Sequence, residues 1–355
     1  MSRHYSREQL EHILSSGDDP SADDNKAIQS AAFYGYLDLV ERLLQDPRID
    51  PSANRNRALC SASMRGRYAI TERLLKDPRM NLAISYSPSA FYFVWGTTLP
   101  IVEMLLTDMG IDPSVDDNGA IHRAAHMGKL DIVERLLADP RVDPSDCGQR
   151  ALYDAIKRGY LAIVELLLND LRIDPTDYEC LPVAIAAEHG HLDIMERLLA
   201  DPRVQPTNLN RALQYAAENG HVIIVNKLLG DPRSVYNDWV LSGAIEKGHW
   251  TVVERLLADR RVDPAKSRNW PIGFAASKGH LTIVERLLAD PRVDPSDDNN
   301  WAIRRAAYNE HMVVVECLLA DPRVASTWTG PAAEAKAARA ITNTHIYKKE
   351  LFQMM

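Results

Sequence analysis

Long apolar runs are missing from this chain of 355 residues. No stretch approaches the ~20 apolar residues that a membrane span needs. The opening segment, MSRHYSREQLEHIL, lacks the apolar core of a signal peptide. Cysteine is scarce: Cys60, Cys147, Cys180 and Cys317 form no CxxC pair and no framework spacing, which reads as reduced thiols rather than a disulfide scaffold. These absences lead to the expectation of a cytoplasmic or nuclear protein with no membrane partner. A surplus of positive charge is missing too. The net charge is -8, against what a general grip on phosphates requires, so no nucleic-acid partner is expected. There is no GxxxxGK[ST], no GxGxxG after a strand and no GxSxG. His122 and His126 stand four residues apart, a spacing that can share zinc, but no third ligand accompanies them. The expectation is no enzyme, no metal and no cofactor.

What the chain has in abundance is repetition. GKLDIVERLLADPRVDPS at residues 128–145 returns as GHLDIMERLLADPRVQPT at 190–207 and as GHLTIVERLLADPRVDPS at 279–296. The Asp that opens Asp-Pro-Arg or a close variant recurs at Asp46, Asp77, Asp108, Asp139, Asp170, Asp201, Asp231, Asp259, Asp290 and Asp321. The steps are 31 residues, except 30 before Asp231 and 28 before Asp259. A fixed period of that size marks a solenoid, whose units bury their apolar faces on one another.

The first repeat shows the plan. Asn25 precedes an apolar run and is expected to cap a helix, with Asn56, Asn118, Asn210, Asn269 and Asn300 in the same slot. Ile28, Ala31 and Ala32 then share one helical face. Gly35 stops the helix, as Gly66, Gly128, Gly159, Gly190, Gly220, Gly248 and Gly279 do later. A second helix carries Leu37, Val40, Leu43 and Leu44, and Pro47 turns the chain. The expected organisation is an N-terminal capping half-repeat over 1–21, ten repeats over 22–325, and a C-terminal capping repeat over 326–355. Ser6 and Gln9 form a candidate capping box at the first end.

The stretches AAFYGYLDLVERLL, AAHMGKLDIVERLL, AAENGHVIIVNKLL and AASKGHLTIVERLL resemble the ankyrin repeat, over nearly the whole chain. The Asp-Pro-Arg wording is similar to expanded ankyrin families of large DNA viruses and some protists. The resemblance implies an all-α, ankyrin-type helical solenoid with short loops. It also implies that His191, His221, His249, His280 and His311 are structural turn residues. The chain departs from the family pattern in its 31-residue step and in reading NKAI, NRAL or NWAI where a Thr-Pro-Leu-His tetrad is usual. Its short inter-repeat loops shift the expected binding surface to the concave helical face. Asp-Pro-Arg and Val-Asp-Pro are expected to stack as solvated charge ladders, Arg141 with Asp143 and Arg292 with Asp294.

In a solenoid, function lies where the repeats differ. First-helix positions opposite the buried alanines include Trp239, Trp270 and Trp301, in one slot of three successive repeats, with Tyr215, Phe274, Arg305 and Tyr308 nearby. Trp, Tyr and Arg dominate binding hot spots, so these seven are candidate partner-binding residues. A Trp beside a helix start can equally lie flat on its neighbour, and the sequence leaves both readings open. The third repeat, SPSAFYFVWGTTLPIVEMLL, puts Phe91, Tyr92, Phe93 and Trp95 where small residues belong. Tyr92 and Trp95 join the candidates, against repacking of a degenerate repeat. The expected function is a monomeric, non-enzymatic scaffold or adaptor for a protein partner. Two alternatives stand: a ubiquitin-ligase substrate adaptor docking through 344–355, and a structural repeat protein with no specific partner.

Overall fold

The structure is a computed structural model that describes residues 4–81, 98–108, 111–204, 209–234 and 238–328. It forms two compact bodies, Met1–Pro175 and Thr176–Met355. Among the described residues there are helices and no strands. The N-terminal body holds α1 (Arg7–Ser16), α2 (Ala22–Tyr34), α3 (Leu37–Leu44), α4 (Ala53–Met64), α5 (Tyr68–Leu75), α6 (Leu99–Glu103, running into a π-helical turn at Met104–Asp108), α7 (Val115–His126), α8 (Leu130–Leu137), α9 (Asp146–Arg158) and α10 (Leu161–Leu168). The C-terminal body holds α11 (Asp177–His189), α12 (Leu192–Leu199), α13 (Asn210–Glu218), α14 (Val222–Leu229), α15 (Asp238–Lys247), α16 (Trp250–Leu257), α17 (Lys266–Lys278), α18 (Leu281–Leu288), α19 (Asp297–Tyr308), α20 (Met312–Leu319) and α21 (Pro322–Thr327).

First helices pack on first helices, as α2 on α4 and α17 on α19, and second helices on second helices, as α16 on α18 and α18 on α20. The core is the repeated apolar set. Ala31, Ala32, Leu39, Val40 and Leu43 are fully buried in the first repeat, and Ala275, Ala276, Val284 and Leu287 in the ninth. Two adjacent alanines let the helices approach closely, while the leucine and valine stripes supply the buried area that drives assembly. At the N-terminus, Ser6 and Gln9 make the expected capping box, which holds α1 with Leu10 buried beneath it.

The start of each first helix departs from expectation. Asn25, Asn118 and Asn269 do not cap. Asp23, Asp24 and Asn25 make a left-handed turn with φ of 54°, 56° and 58°. The same turn recurs at 54–56, 267–269 and 298–300. Such backbone is costly for residues with a Cβ, and least so for Asn and Asp. The asparagine side chain then reaches the loop into the next repeat instead of its own helix. Oδ1 of Asn25 accepts the Asp50 N–H at 2.8 Å, Asn118 that of Asp143 at 2.8 Å, and Asn269 that of Asp294 at 2.7 Å. Gln149 does the same for Asp174 at 2.6 Å. Because right-handed helix begins only after the turn, Pro271 falls in the opening turn of α17, where a missing N–H costs nothing.

The charge ladders are also built differently. Each arginine pairs with the aspartate two residues before it, not with the aspartate of Val-Asp-Pro: Arg141 with Asp139 at 2.7 Å, and Arg292 with Asp290 at 2.6 Å. The arginine's own N–H closes the turn onto the same carboxylate, at 3.0 Å in both cases. Its remaining donors cross to the preceding repeat. Arg292 donates to the Val262 and Leu257 carbonyls at 2.8 and 3.1 Å, and Arg79 to those of Leu44 and Ile49 at 2.6 and 3.0 Å. Leu44 and Leu257 end second helices, so each guanidinium satisfies orphan carbonyls at the negative end of a helix dipole. The second aspartate is occupied otherwise: Asp143 and Asp294 accept the N–H groups of Ser145 and Ser296, both at 2.9 Å.

Candidate functional site

The seven candidates of the C-terminal body lie along the first helices α13, α15, α17 and α19, and differ in their surroundings. Trp239 is 70% exposed on α15. Trp270, half-buried on α17, stacks on Phe274 with centroids 4.6 Å apart and planes 20° from parallel. Lys278 Nζ stands 5.2 Å from the Phe274 centroid. Trp301, half-buried on α19, lies against the backbone of α17: a Cβ at Gly273 would overlap its Cε3 and Cζ3 atoms. Arg305 stands 5.8 Å from the centroid of exposed Tyr308. On α13, Arg211 stands 5.6 Å from the Tyr215 centroid and donates to its hydroxyl at 3.3 Å. Tyr92 and Trp95 lie outside the described residues.

Between Trp239 and Trp270 the surface opens into a cleft of about 380 Å³, lined also by Leu241, Ser242, Asp263, Lys266, Ser267 and Pro271. That size is toward the lower end of pockets that enclose small ligands, and it suits one or two side chains of a partner. The cleft has a local cause. Trp301 fits flat because the preceding repeat offers Gly273 beneath it. One repeat earlier the matching position is Ser242, and the space beside Trp270 stays open. Asp263 is held in place by accepting the Ala265 N–H at 3.0 Å. Reading the chain by helical stripe alone missed Asp263, Lys266 and Ser267, because they sit in the loop before α17 and in its opening residues, ahead of the right-handed helix. The one sequence signal was the Gly-for-Ser difference at 273 and 242.

The turn histidines form a ladder. His221, His249 and His311 place Nε2 at 3.0, 3.0 and 3.1 Å from the carbonyls of Glu188, Glu218 and Ser277 in the preceding repeat. Their rings cover Gly190, Gly220 and Gly279, which take positive φ. Tyr160 covers Gly128 in the same manner. His122 and His126 have separate surroundings. His122 is buried with Nε2 unpartnered, and burial holds its pKa below the usual histidine value. His126 faces Asp154 at 3.5 Å and the Arg158 guanidinium at 2.7 Å. Among the described residues, no group of three or more His, Cys, Asp or Glu stands together as a metal site. Burial raises the Cys60 thiol to about 11, far from a reactive thiolate.

Paired helices at this period, glycine turns and a histidine ladder reaching back one repeat agree with the family comparison. Two family models match: ankyrin repeats (3 copies) over residues 91–179 and ankyrin repeats (many copies) over residues 183–229. Ankyrin repeats are thus identified across residues 91–229. No curated protein matches the sequence. Ankyrin repeats are in general protein–protein interaction modules. No helix among the described residues is long and apolar enough to cross a membrane.

Proposed function

We propose that the chain is a non-enzymatic recognition scaffold whose protein partner docks on the first-helix face of the C-terminal body, anchored at the Trp239–Trp270 cleft. The observation that carries this reading is Trp239 itself. A tryptophan that is 70% exposed, beside an open cleft, leaves most of its ring for a partner to cover. Filling such a cleft with an apolar partner side chain would bury both indoles, the arrangement of a binding hot spot. Trp270, Phe274, Tyr215, Arg305 and Tyr308 extend the same face. Trp301 supports it from beneath by packing on α17. We place the protein in the cytoplasm or nucleus and propose that it acts as a monomer.

Affinity capture with the full chain as bait, read by quantitative mass spectrometry, tests this. The comparison is wild type against Trp239→Ala and against Trp301→Ala, with thermal melts of each. The proposal expects Trp239→Ala to melt like wild type and to lose at least one stoichiometric partner. An unchanged set of partners, or none above background for wild type, would overturn it in favour of a structural repeat protein. The alternative of ligase docking through 344–355 lies outside the described residues. Deletion of that segment, with folding intact, would reveal it as loss of a ligase subunit alone.

A further inference from the structure

The second repeat reverses the charge of the chain around it. Residues 51–102 carry seven Arg and Lys against two acids, Glu72 and Asp77, in a chain of net charge -8. Both acids are engaged. Asp77 lies 3.8 Å from Arg73 and 2.9 Å from Arg79, and Glu72 lies 2.6 Å from Lys76. Arg55, Arg57, Arg65 and Arg67 are exposed, with no ion pair among the described residues. Arg57 and Arg65 lie close enough to His4, together with Lys26, that all three act on its imidazole; burial first, and then these cations, hold it below the usual histidine range. Lys26 has one carboxylate nearby, that of Asp23 at 3.8 Å.

At the centre of these charges stands Phe33. His4 stacks on it at 4.1 Å, and the Arg65 guanidinium lies 3.7 Å from the same ring centroid. Two groups that close to one centroid must take opposite faces. Beside this sandwich, Met64 is 60% exposed on α4. The patch therefore joins Arg57 and Arg65, which have no ion pair among the described residues, to a flexible apolar contact, in a chain of net charge -8. Grouped cations without counter-charge repel one another, and an anion relieves that repulsion. We propose that the first-helix face of repeats one and two, around Lys26, Arg57, Arg65 and Met64, docks an acidic peptide segment of a protein partner. Charge complementarity selects the anion, and the Phe33 sandwich argues for peptide over nucleic acid. Single strands rely on aromatic faces for base stacking, and both faces of Phe33 are already covered. This site belongs to the N-terminal body and does not depend on the Trp239 cleft.

The test is fluorescence anisotropy on the full chain with a labelled peptide of about twelve residues alternating Glu and Leu. Its Gln–Leu counterpart and an oligothymidine of similar length are the competitors. The expected result is binding of the Glu peptide that weakens with salt, about tenfold weaker binding of the Gln peptide, and a further loss of about tenfold in Arg57→Glu. Arg57 makes no hydrogen bond among the described residues, so its variant is expected to fold. Arg65→Gln gives a second, milder reading. Arg260→Glu, a reversal at an exposed site of the other body, should leave the affinity unchanged. Equal affinity for the Gln peptide, or undiminished binding by folded Arg57→Glu, would overturn the proposal. So would displacement of the peptide by oligothymidine at lower concentration.

Discussion

Trp239, Trp270 and Trp301 occupy one slot of three consecutive repeats and have different surroundings. Gly273 lets Trp301 lie on α17, whereas Trp239 stands in solvent. Trp301→Ala should therefore destabilise the chain by about 3 kcal/mol, while Trp239→Ala should stay within about 0.5 kcal/mol of wild type. Urea melts of the two variants check this, and equal costs would contradict the packing described. Gly273→Ala should also destabilise, by roughly 1–3 kcal/mol, because its methyl would overlap the Trp301 ring. Alanine's better helix propensity, worth about 1 kcal/mol, is too small to compensate. The slot was legible in the sequence, but which tryptophan stands exposed and which packs was not. Periodicity places a residue on a face without revealing what lies under it in the next repeat. Asn269 shows the same limit. It reads as a helix cap, yet it joins the loop of the next repeat through Asp294 N and the Asp297 carboxylate, at 2.7 and 2.9 Å. Asn269→Ala would lose both bonds and retain the left-handed backbone, so a loss of about 2 kcal/mol is expected in the same urea assay.

At the scale of elements, the loops do more than connect. The Asp–Arg forks close their own turns, and Arg79, Arg261, Arg292 and Arg323 then cap the second helix of the repeat before. In Arg292→Ala the Leu257 and Val262 carbonyls lose their donors. The expected cost is about 1 kcal/mol, kept modest by partial exposure. Arg292→Lys should not recover it, since an ammonium has no planar fork to reach carboxylate and carbonyl together. Amide hydrogen exchange should show faster exchange confined to the end of α16 and the loop after it. Uniform change across the body would argue against a local staple. The pairing was only half visible in advance. Asp-Pro-Arg and Val-Asp-Pro recur together, and sequence proximity suggests that they pair with each other, but the turn geometry brings Asp290 rather than Asp294 to Arg292.

At the scale of the whole molecule, the forks make stability depend on acid. Hydrogen bonds from Arg48 hold the Asp46 carboxyl down at about 2, and the same cause lowers Asp77, Asp139, Asp170, Asp201, Asp231, Asp259, Asp290 and Asp321. A carboxylate whose folded pKa lies below its unfolded value stabilises the fold above the unfolded value, near 3.8. That contribution disappears as pH falls through the folded pKa. Thermal melts between pH 5 and pH 2 should therefore show Tm nearly flat at first and then falling steeply below about pH 4. A Tm that is constant to pH 2 would show that the forks contribute nothing to folding.

The sequence by itself determined the architecture. Its period, its alanine pairs and its glycine stops can be satisfied only by helix pairs that bury one stripe on the next, because each unit is too small to keep its apolar face from water alone. Tertiary structure decided the sites. The cleft at Trp239 exists because Ser242 does not admit the next tryptophan as Gly273 does. The cationic patch at Arg57 exists because first helices from adjacent repeats bring Lys26, Phe33 and Arg65 together, with no carboxylate paired to Arg57 or Arg65 among the described residues. Local pattern dictates which way a side chain faces, while the company it keeps across repeats depends on packing between residues some thirty positions apart.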